Sequence, residues 1–261
     1  IKQLQDNPEF AAMVESVDES FGRVLQQLKT LKLDDNTIIV FFSDNGGMSA
    51  ANFHNPARKI SECDLDKAFS TSNLPLRGGK GWLYEGGIRE PLMIKWPGKQ
   101  VKSGVCETPV VSTDFLPTLL DMAGISVPAR YEGDGMSITP LLLGNRDQIN
   151  RLENRAIYWH FPQYSNHGAQ SHGGAIRYGK YKLIEYFENF RVELFDLQAD
   201  PGEQHDLSAT APAIVKDLTG RLHNWRKSVN ANMPVPNKDY DPSLNGQWQD
   251  WRPGKQLTGK K

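Results

Sequence analysis

Near the start of the chain, apolar residues recur at spacings of three and four: Phe10, Met13, Val14, Val17, Phe21, Val24, Leu25 and Leu28. They fall on one stripe, which predicts a long amphipathic helix packed on a sheet. Asn7 is placed to cap it and Pro8 suits its first turn. Leu33-Asp-Asp-Asn-Thr37 is a turn, and it delivers the chain into Ile38-Ile-Val-Phe-Phe42, an unbroken apolar run rich in β-branched and aromatic side chains. Such a run predicts a strand buried on both faces, as in a parallel α/β sheet. From Ser49 to Leu74 no periodicity survives, so a long loop is expected, and unstructured connections of that length are usually functional or disordered.

Leu92-Met-Ile-Lys-Trp96 predicts a second buried strand, closed by Pro97-Gly98, and Val110-Val111 a short one. Ser112-Thr-Asp114 should cap a helix that turns Phe115, Leu116, Leu119, Leu120 and Met122 to the core and stops at Gly124. Met136 to Leu143 predicts another brief helix, and the polar stretch 145–155 reads as a boundary. Beyond it the period changes. Ala156–Phe161, Ala175–Arg177, Tyr181–Tyr186 and Val192–Leu197 are short strands separated by turns, which predicts a small antiparallel sheet. One helix, with Ile214, Val215, Leu218, Leu222 and Trp225 on a single face, should cover it. The expected organisation is an α/β domain over 1–150, a small α+β subdomain over 151–228 and an extended tail over 229–261.

Charge and composition remove several classes of function. The 30 basic and 31 acidic residues nearly cancel and are scattered, so neither a nucleic-acid surface nor a polybasic membrane anchor is expected. No apolar run approaches the ~20 residues of a bilayer span, so no transmembrane segment is expected. No signal peptide opens the chain, but Ile1 rather than Met stands first, so a targeting segment could have been removed. Cys63 and Cys106 could form at most one disulfide and do not decide the compartment.

Two stretches carry candidate chemistry. Asp44 and Asn45 sit just beyond the carboxyl end of the first apolar strand, where ligands gather in open α/β sheets. Both offer hard oxygen donors, suited to Ca2+ or Mg2+ rather than zinc. Asn45-Gly46 could instead be only a tight turn, but no alternating strand follows to make a hairpin. One Asp and one Asn cannot fill the roughly six to eight oxygen positions of Ca2+, so further ligands must come from elsewhere. The second stretch is Leu76-Arg-Gly-Gly-Lys-Gly-Trp-Leu-Tyr-Glu-Gly-Gly-Ile-Arg-Glu-Pro91. Glycines flanking Lys80 let backbone approach a ligand while the ammonium supplies a compact positive charge, a combination that fits sulfate or phosphate. It is not a Walker loop, since Leu74 and Gly81 stand where Gly and Ser or Thr are required. No Gly-x-Ser-x-Gly elbow or His-Glu-x-x-His motif supplies a nucleophile or base.

At these residues the chain resembles the sulfatase family of the alkaline-phosphatase-like superfamily. Ala11-Ala-Met-Val-Glu-Ser-Val-Asp-Glu-Ser20, Phe42-Ser-Asp-Asn-Gly-Gly47, Leu76 to Pro91 and Thr113-Asp-Phe-Leu-Pro-Thr-Leu-Leu120 look like successive landmarks of its second half, in the family's order. The resemblance implies part of a mixed sheet flanked by helices. It implies that Asp44 and Asn45 are two ligands of an active-site calcium and that Lys80 binds a sulfate oxygen, with a catalytic role in holding charge. It also implies a formylglycine nucleophile, made from Cys or Ser in a Cys/Ser-x-Pro-Ser/Ala-Arg motif, in an upstream half of the same protein. Ser126-Val-Pro-Ala-Arg130 matches that motif but follows the metal residues and lacks the apolar continuation, so the match reads as accidental.

A sulfated small molecule or glycan is the implied substrate, and the implied location is periplasmic or secreted. In this family the small domain helps wall the substrate pocket. The segment from Tyr158 to Gly174 holds His160, His167 and His172 beside Trp159, Phe161 and Tyr164, groups able to stack on and hydrogen-bond a ring, so His160 and His172 are candidate substrate contacts. The plain alternative is that they are surface histidines of a loop. Rival functions are a phosphodiesterase or phosphonate hydrolase of the same superfamily, and a non-catalytic binder of sulfated glycans.

Overall fold

The computed structural model describes residues 5–49, 71–99, 101, 103–128, 130, 133–163 and 172–241. Most of the loop expected over 49–74, Cys63, Tyr164, His167 and the tail beyond Asp241 lie outside the described residues. In chain order the helices and strands are α1 (Pro8–Thr30), β1 (Ile39–Phe42), α2 (Glu85–Ile88), β2 (Leu92–Lys95), α3 (Phe115–Met122), α4 (Thr139–Leu143), α5 (Arg146–Glu153), β3 (Ala156–Phe161), β4 (Gly173–Tyr178), β5 (Tyr181–Tyr186), β6 (Val192–Asp196) and α6 (Pro212–Ser228). They fall into two compact units, one of residues 16–42 and 92–157, the other of 1–15, 43–91 and 158–261.

In the first unit β1 and β2 pair antiparallel, from Ile39 opposite Lys95 to Phe42 opposite Leu92. This corrects the expectation of parallel strands buried on both faces: Phe42 is 46% and Met93 56% exposed. An apolar run fixes neither the direction of the partner strand nor the presence of a covering layer. The same limit applies to α1. Asn7 caps it as expected, accepting the Phe10 N–H at 3.0 Å, but none of its residues is buried. Met13, Val14, Val17 and Val24 are all more than half exposed. Of its stripe, Phe21 packs on Phe41 of β1 with centroids 5.0 Å apart.

Three further expectations change here. Val110 and Val111 form no strand. On α3 the buried residues are Pro117, Thr118 and Met122, while Leu116 and Leu119 are exposed. The polar stretch 145–155 contains α5, anchored by the nearly inaccessible Leu152, and the division between the two units falls just after it, between Ile157 and Tyr158. Asp114 does not cap α3 through its side chain. It is fully buried, accepts the Val111 and Met136 N–H groups at 2.9 Å each, and pairs with Arg155. Gly124 ends the helical turn at φ +71, as expected.

In the second unit the antiparallel sheet has the order β3-β4-β5-β6. β4 and β5 pair from Gly173 opposite Tyr186 to Tyr178 opposite Tyr181, a hairpin closed by Gly179 at φ +56. Leu218 and Leu222 of α6 are buried, and the sheet core joins Ala175, Ile184, Tyr186, Phe195 and Leu197 to Trp82, Leu83 and Tyr84. Residues immediately after Lys80 are thus rooted in the core of this unit.

Candidate active site

Beyond β1, glycine backbone packs directly on glycine backbone. The Gly46 N–H donates to Gly87 O at 3.3 Å and the Lys80 N–H to Gly47 O at 3.1 Å. The Asn73 amide completes the lacing. It accepts the Gly47 N–H at 3.1 Å and donates to Gly47 O and Gly78 O at 2.9 and 3.1 Å. Ser49 Oγ, fully buried, donates to Gly78 O at 3.0 Å. A Cβ on Gly46 would lie 1.8 Å from Gly86 O, and one on Gly87 2.3 Å from Trp82 O. The apposition of 46–49 with 78–87 is therefore possible only with glycine at these positions.

Gly46→Ala should consequently cost about 3 kcal/mol by forcing backbone apart. Gly22→Ala, in the exposed middle of α1 with open space at its Cβ, should stabilise by about 1 kcal/mol. Urea midpoints for the two variants, measured against the parent, check this opposition of signs.

This lacing joins the segment that follows Asp44 and Asn45 to the loop that carries Lys80. Asp44 and Lys80 are exposed, Asn45 is half-buried, and Ser43 Oγ donates to Asn45 O at 3.1 Å. Glu90 is also here, a residue that sequence patterning did not single out. Burial, helped by the charges of Glu85 and Asp44, pushes its carboxyl up to about 7. Its Oε1 is buried without a hydrogen-bond partner. An oxygen-only donor set with an unsatisfied carboxylate oxygen fits a hard divalent cation. Among the described residues no group of three or more His, Cys, Asp or Glu could hold a metal.

Behind the loop lies a buried charge network. Lys182, with no exposure, reaches Glu85 Oε1 and Glu203 Oε1 at 2.9 Å each. The Glu203 Oε2 accepts the Glu85 N–H at 2.6 Å, and Arg77 donates to Glu203 O at 2.8 Å while stacking over Tyr84. Burial pushes the Glu203 carboxyl up against the opposing pull of Lys182, and burial likewise pushes Arg177 down beside Glu85. The Tyr84 hydroxyl, 2.8 Å from that of Tyr186 and 2.7 Å from Glu193 Oε2, is pushed up by the same desolvation. These contacts tie α2 and the Lys80 loop to β5 and to the turn at Glu203.

His160 and His172 come together on a different feature. Their rings pack on Phe187 with centroids 5.4 and 5.7 Å away, and His160 Nε2 lies 2.7 Å from Asn232 O. His172 is buried rather than a loop-surface residue. Ser126 is exposed and belongs to the unit that contains neither Asp44 nor Lys80.

The family model described as N-sulphoglucosamine sulphohydrolase, C-terminal, matches residues 79–228, and the model described as sulfatase matches 2–125. The chain belongs to the sulfatase family. A sulfatase of Formosa agariphila is 32% identical over 88% of this chain and 43% of its own length. The N-acetylglucosamine-6-O-sulfatase of Bacteroides thetaiotaomicron is 31% identical over 89% of this chain and 38% of its own. Among solved structures, one of a protein in complex with its substrate D-glucosamine-2-N,6-O-disulfate superposes with TM-score 0.59 at 27% identity, covering 87% of this chain and 41% of that one. The chain thus spans less than half the length of these relatives. Likeness of fold extends to Ps i-CgsB in complex with k-i-k-neocarrahexaose, TM-score 0.67 at 24% identity over 95% of this chain and 48% of that one. The α/β class with its antiparallel subdomain is shared with these alkaline-phosphatase-like sulfatases.

Proposed function

We propose that this sulfatase chain is the carboxyl-terminal half of a sulfuric ester hydrolase that acts on a sulfated carbohydrate or aryl ester. The observation that supports the reading is the glycine lacing, which bonds the Lys80 N–H to Gly47 O, two residues from the Asp44–Asn45 pair. In this reading Asp44 and Asn45 supply oxygens to a Ca2+ or Mg2+ ion. The ion, when bound, would withdraw charge from the nonbridging sulfate oxygens. Lys80 places a compact ammonium on a sulfate oxygen and stabilises the charge that accumulates there during transfer. The rigid loop makes both contacts preorganised. A formylglycine nucleophile and the remaining ligands come from an upstream half. His160 and His172, held on Phe187, belong to the substrate-facing wall.

The activity of relatives named as sulfatases, including an N-acetylglucosamine-6-O-sulfatase and the mouse arylsulfatase J at 29% identity over 93% of this chain and 44% of its own length, supports a sulfate ester as substrate. No described helix is long and apolar enough to cross a membrane, and a periplasmic or secreted location is part of the same proposal.

Two assays test it. The complete protein should release umbelliferone from its sulfate ester far faster than from the corresponding phosphodiester. Residues 1–261 alone should release none. Metal-dependent turnover by the purified 261-residue chain would overturn the assignment of the nucleophile to another segment and direct attention to Ser126. Preference for the phosphodiester would move the protein to the phosphodiesterase branch.

A further inference from the structure

From Gly78 to Gly81 the only side chain is that of Lys80, and Gly78 and Gly81 sit at φ +77 and +89. Glycine backbone has the widest conformational freedom of any, so the loop cannot fix itself. A charge aimed at one oxygen acts best when its support is fixed before the substrate arrives. The fixing comes from outside the loop, where Ser49 Oγ and Asn73 Nδ2 both donate to Gly78 O.

Asn73 does more than hold Gly78. Its Oδ1 accepts the Gly47 N–H at 3.1 Å, while its Nδ2 donates to Gly47 O at 2.9 Å and to Gly78 O at 3.1 Å. A carboxamide has two N–H donors and one acceptor oxygen, and these partners use both donors and the oxygen in the one orientation that suits them all. Gly47 O also accepts the Lys80 N–H at 3.1 Å, so a single carbonyl joins the Asn73 amide to the main chain of Lys80. The amide has no slack: a Cβ on Gly47 would lie 2.9 Å from Asn73 Oδ1, and one on Gly79 2.8 Å from Asn73 Nδ2. Asn73 is itself held in a turn, its carbonyl accepting the Leu76 N–H at 2.9 Å, and Thr71 and Ser72 before it are buried.

We propose that Asn73 is a positioning residue for Lys80: its amide fixes the Gly47 and Gly78 peptide groups, and through them the point from which the ammonium is presented to the sulfate ester. This rests on the reading of Lys80 as the residue that holds charge on a sulfate oxygen. The effect of Asn73 runs through Lys80. Because the Lys80 contact strengthens as charge accumulates during transfer, loosening it lowers kcat more than it raises KM.

The test measures kcat and KM for an umbelliferyl sulfate, with thermal melting, on the complete protein. The variants are Asn73→Asp, Asn73→Ala, Lys80→Ala and each Asn73 change combined with Lys80→Ala. Asn73→Asp keeps the size of the side chain and sets a carboxylate against two carbonyls, and it should lower kcat about tenfold or more with KM within about twofold of the parent. Asn73→Ala, which places no charge there, should act in the same direction and carries the comparison should Asn73→Asp not fold. In the Lys80→Ala background either change should lower kcat by less than about twofold, because the group being positioned is gone. A residue that only stabilises the fold would lower Tm and cut the active fraction by the same factor in both backgrounds. Equal factors would therefore overturn the proposal, as would folded Asn73 variants that turn over like the parent; in either case a costly Lys80→Ala leaves the reading of Lys80 standing. If Lys80→Ala is itself nearly silent, that reading fails and the role of Asn73 fails with it.

Discussion

Lys80→Ala, made in the complete protein, lowers turnover of a sulfate ester by on the order of 100- to 1000-fold, about 3 to 4 kcal/mol, with no change in thermal melting. The magnitude is that of removing one preorganised donor from a site where charge develops. The unchanged melting follows from position: the side chain is exposed, and what holds the loop is the Lys80 N–H bonded to Gly47 O, which alanine keeps. Lys80→Arg does not restore full activity. Gly79 has no room for a Cβ, with Ser49 Oγ 2.3 Å and Gly47 O 2.5 Å from where it would stand, and Gly81 sits at φ +89. The backbone cannot shift to accommodate a wide planar fork in place of a compact ammonium. Steady-state kinetics and melting on the three proteins check this. A fall of less than about fivefold for Lys80→Ala, under ~1 kcal/mol at ~1.4 kcal/mol per tenfold, would make Lys80 an ordinary solvated turn residue.

Lys182→Met has the opposite profile, a loss of about 3 to 5 kcal/mol in folding stability. Lys182 has no exposure, and its ammonium is 2.9 Å from both Glu85 and Glu203, themselves almost wholly buried. Removing the cation leaves two carboxylates desolvated with little compensation, the circumstance in which breaking a buried pair is most costly. Against the ~5–15 kcal/mol that folded proteins possess, that is a large fraction. Arg177, 3.6 Å from Glu85, offsets part of it. The triple variant Lys182→Met, Glu85→Gln, Glu203→Gln should recover much of the loss, since no buried charge is then orphaned. Urea unfolding measures each step. A single variant as stable as the parent would show that the network contributes nothing to holding the Lys80 loop on the sheet.

The two predictions separate a residue proposed to contact substrate from residues that hold its loop in place. Sequence reasoning singled out the first and missed the second. Lys80 was legible because glycines around a lone cation are unusual and local. Lys182 sits in Tyr181-Lys-Leu-Ile-Glu-Tyr186, where the period-2 pattern gives the strand but a charged residue reads as solvent-facing. Glu203 lies in Asp200-Pro-Gly-Glu-Gln204, which reads as a turn and nothing more. Each becomes meaningful only when α2 brings Glu85 between them.

The amino-acid sequence by itself determined the elements whose causes are local. The strands at 156–161 and 181–186, the turn at Gly179, the cap at Asn7, the stop at Gly124 and the helix bearing Leu218 and Leu222 all follow from periodicity and from residues with special backbone needs. It also determined the candidate chemistry of Asp44, Asn45 and Lys80, because hard oxygens after a strand and a cation among glycines are short-range signals. Only the tertiary structure decided that β1 and β2 run antiparallel, that the stripe of α1 stays largely exposed, that Asp114 is buried on Arg155 instead of capping α3, and that Lys182 is buried between Glu85 and Glu203. Each of these depends on which distant segment arrives alongside. Apolar periodicity states that a face should be covered and a charge should be neutralised, but the partner that does so is set by register and packing between segments far apart in the chain.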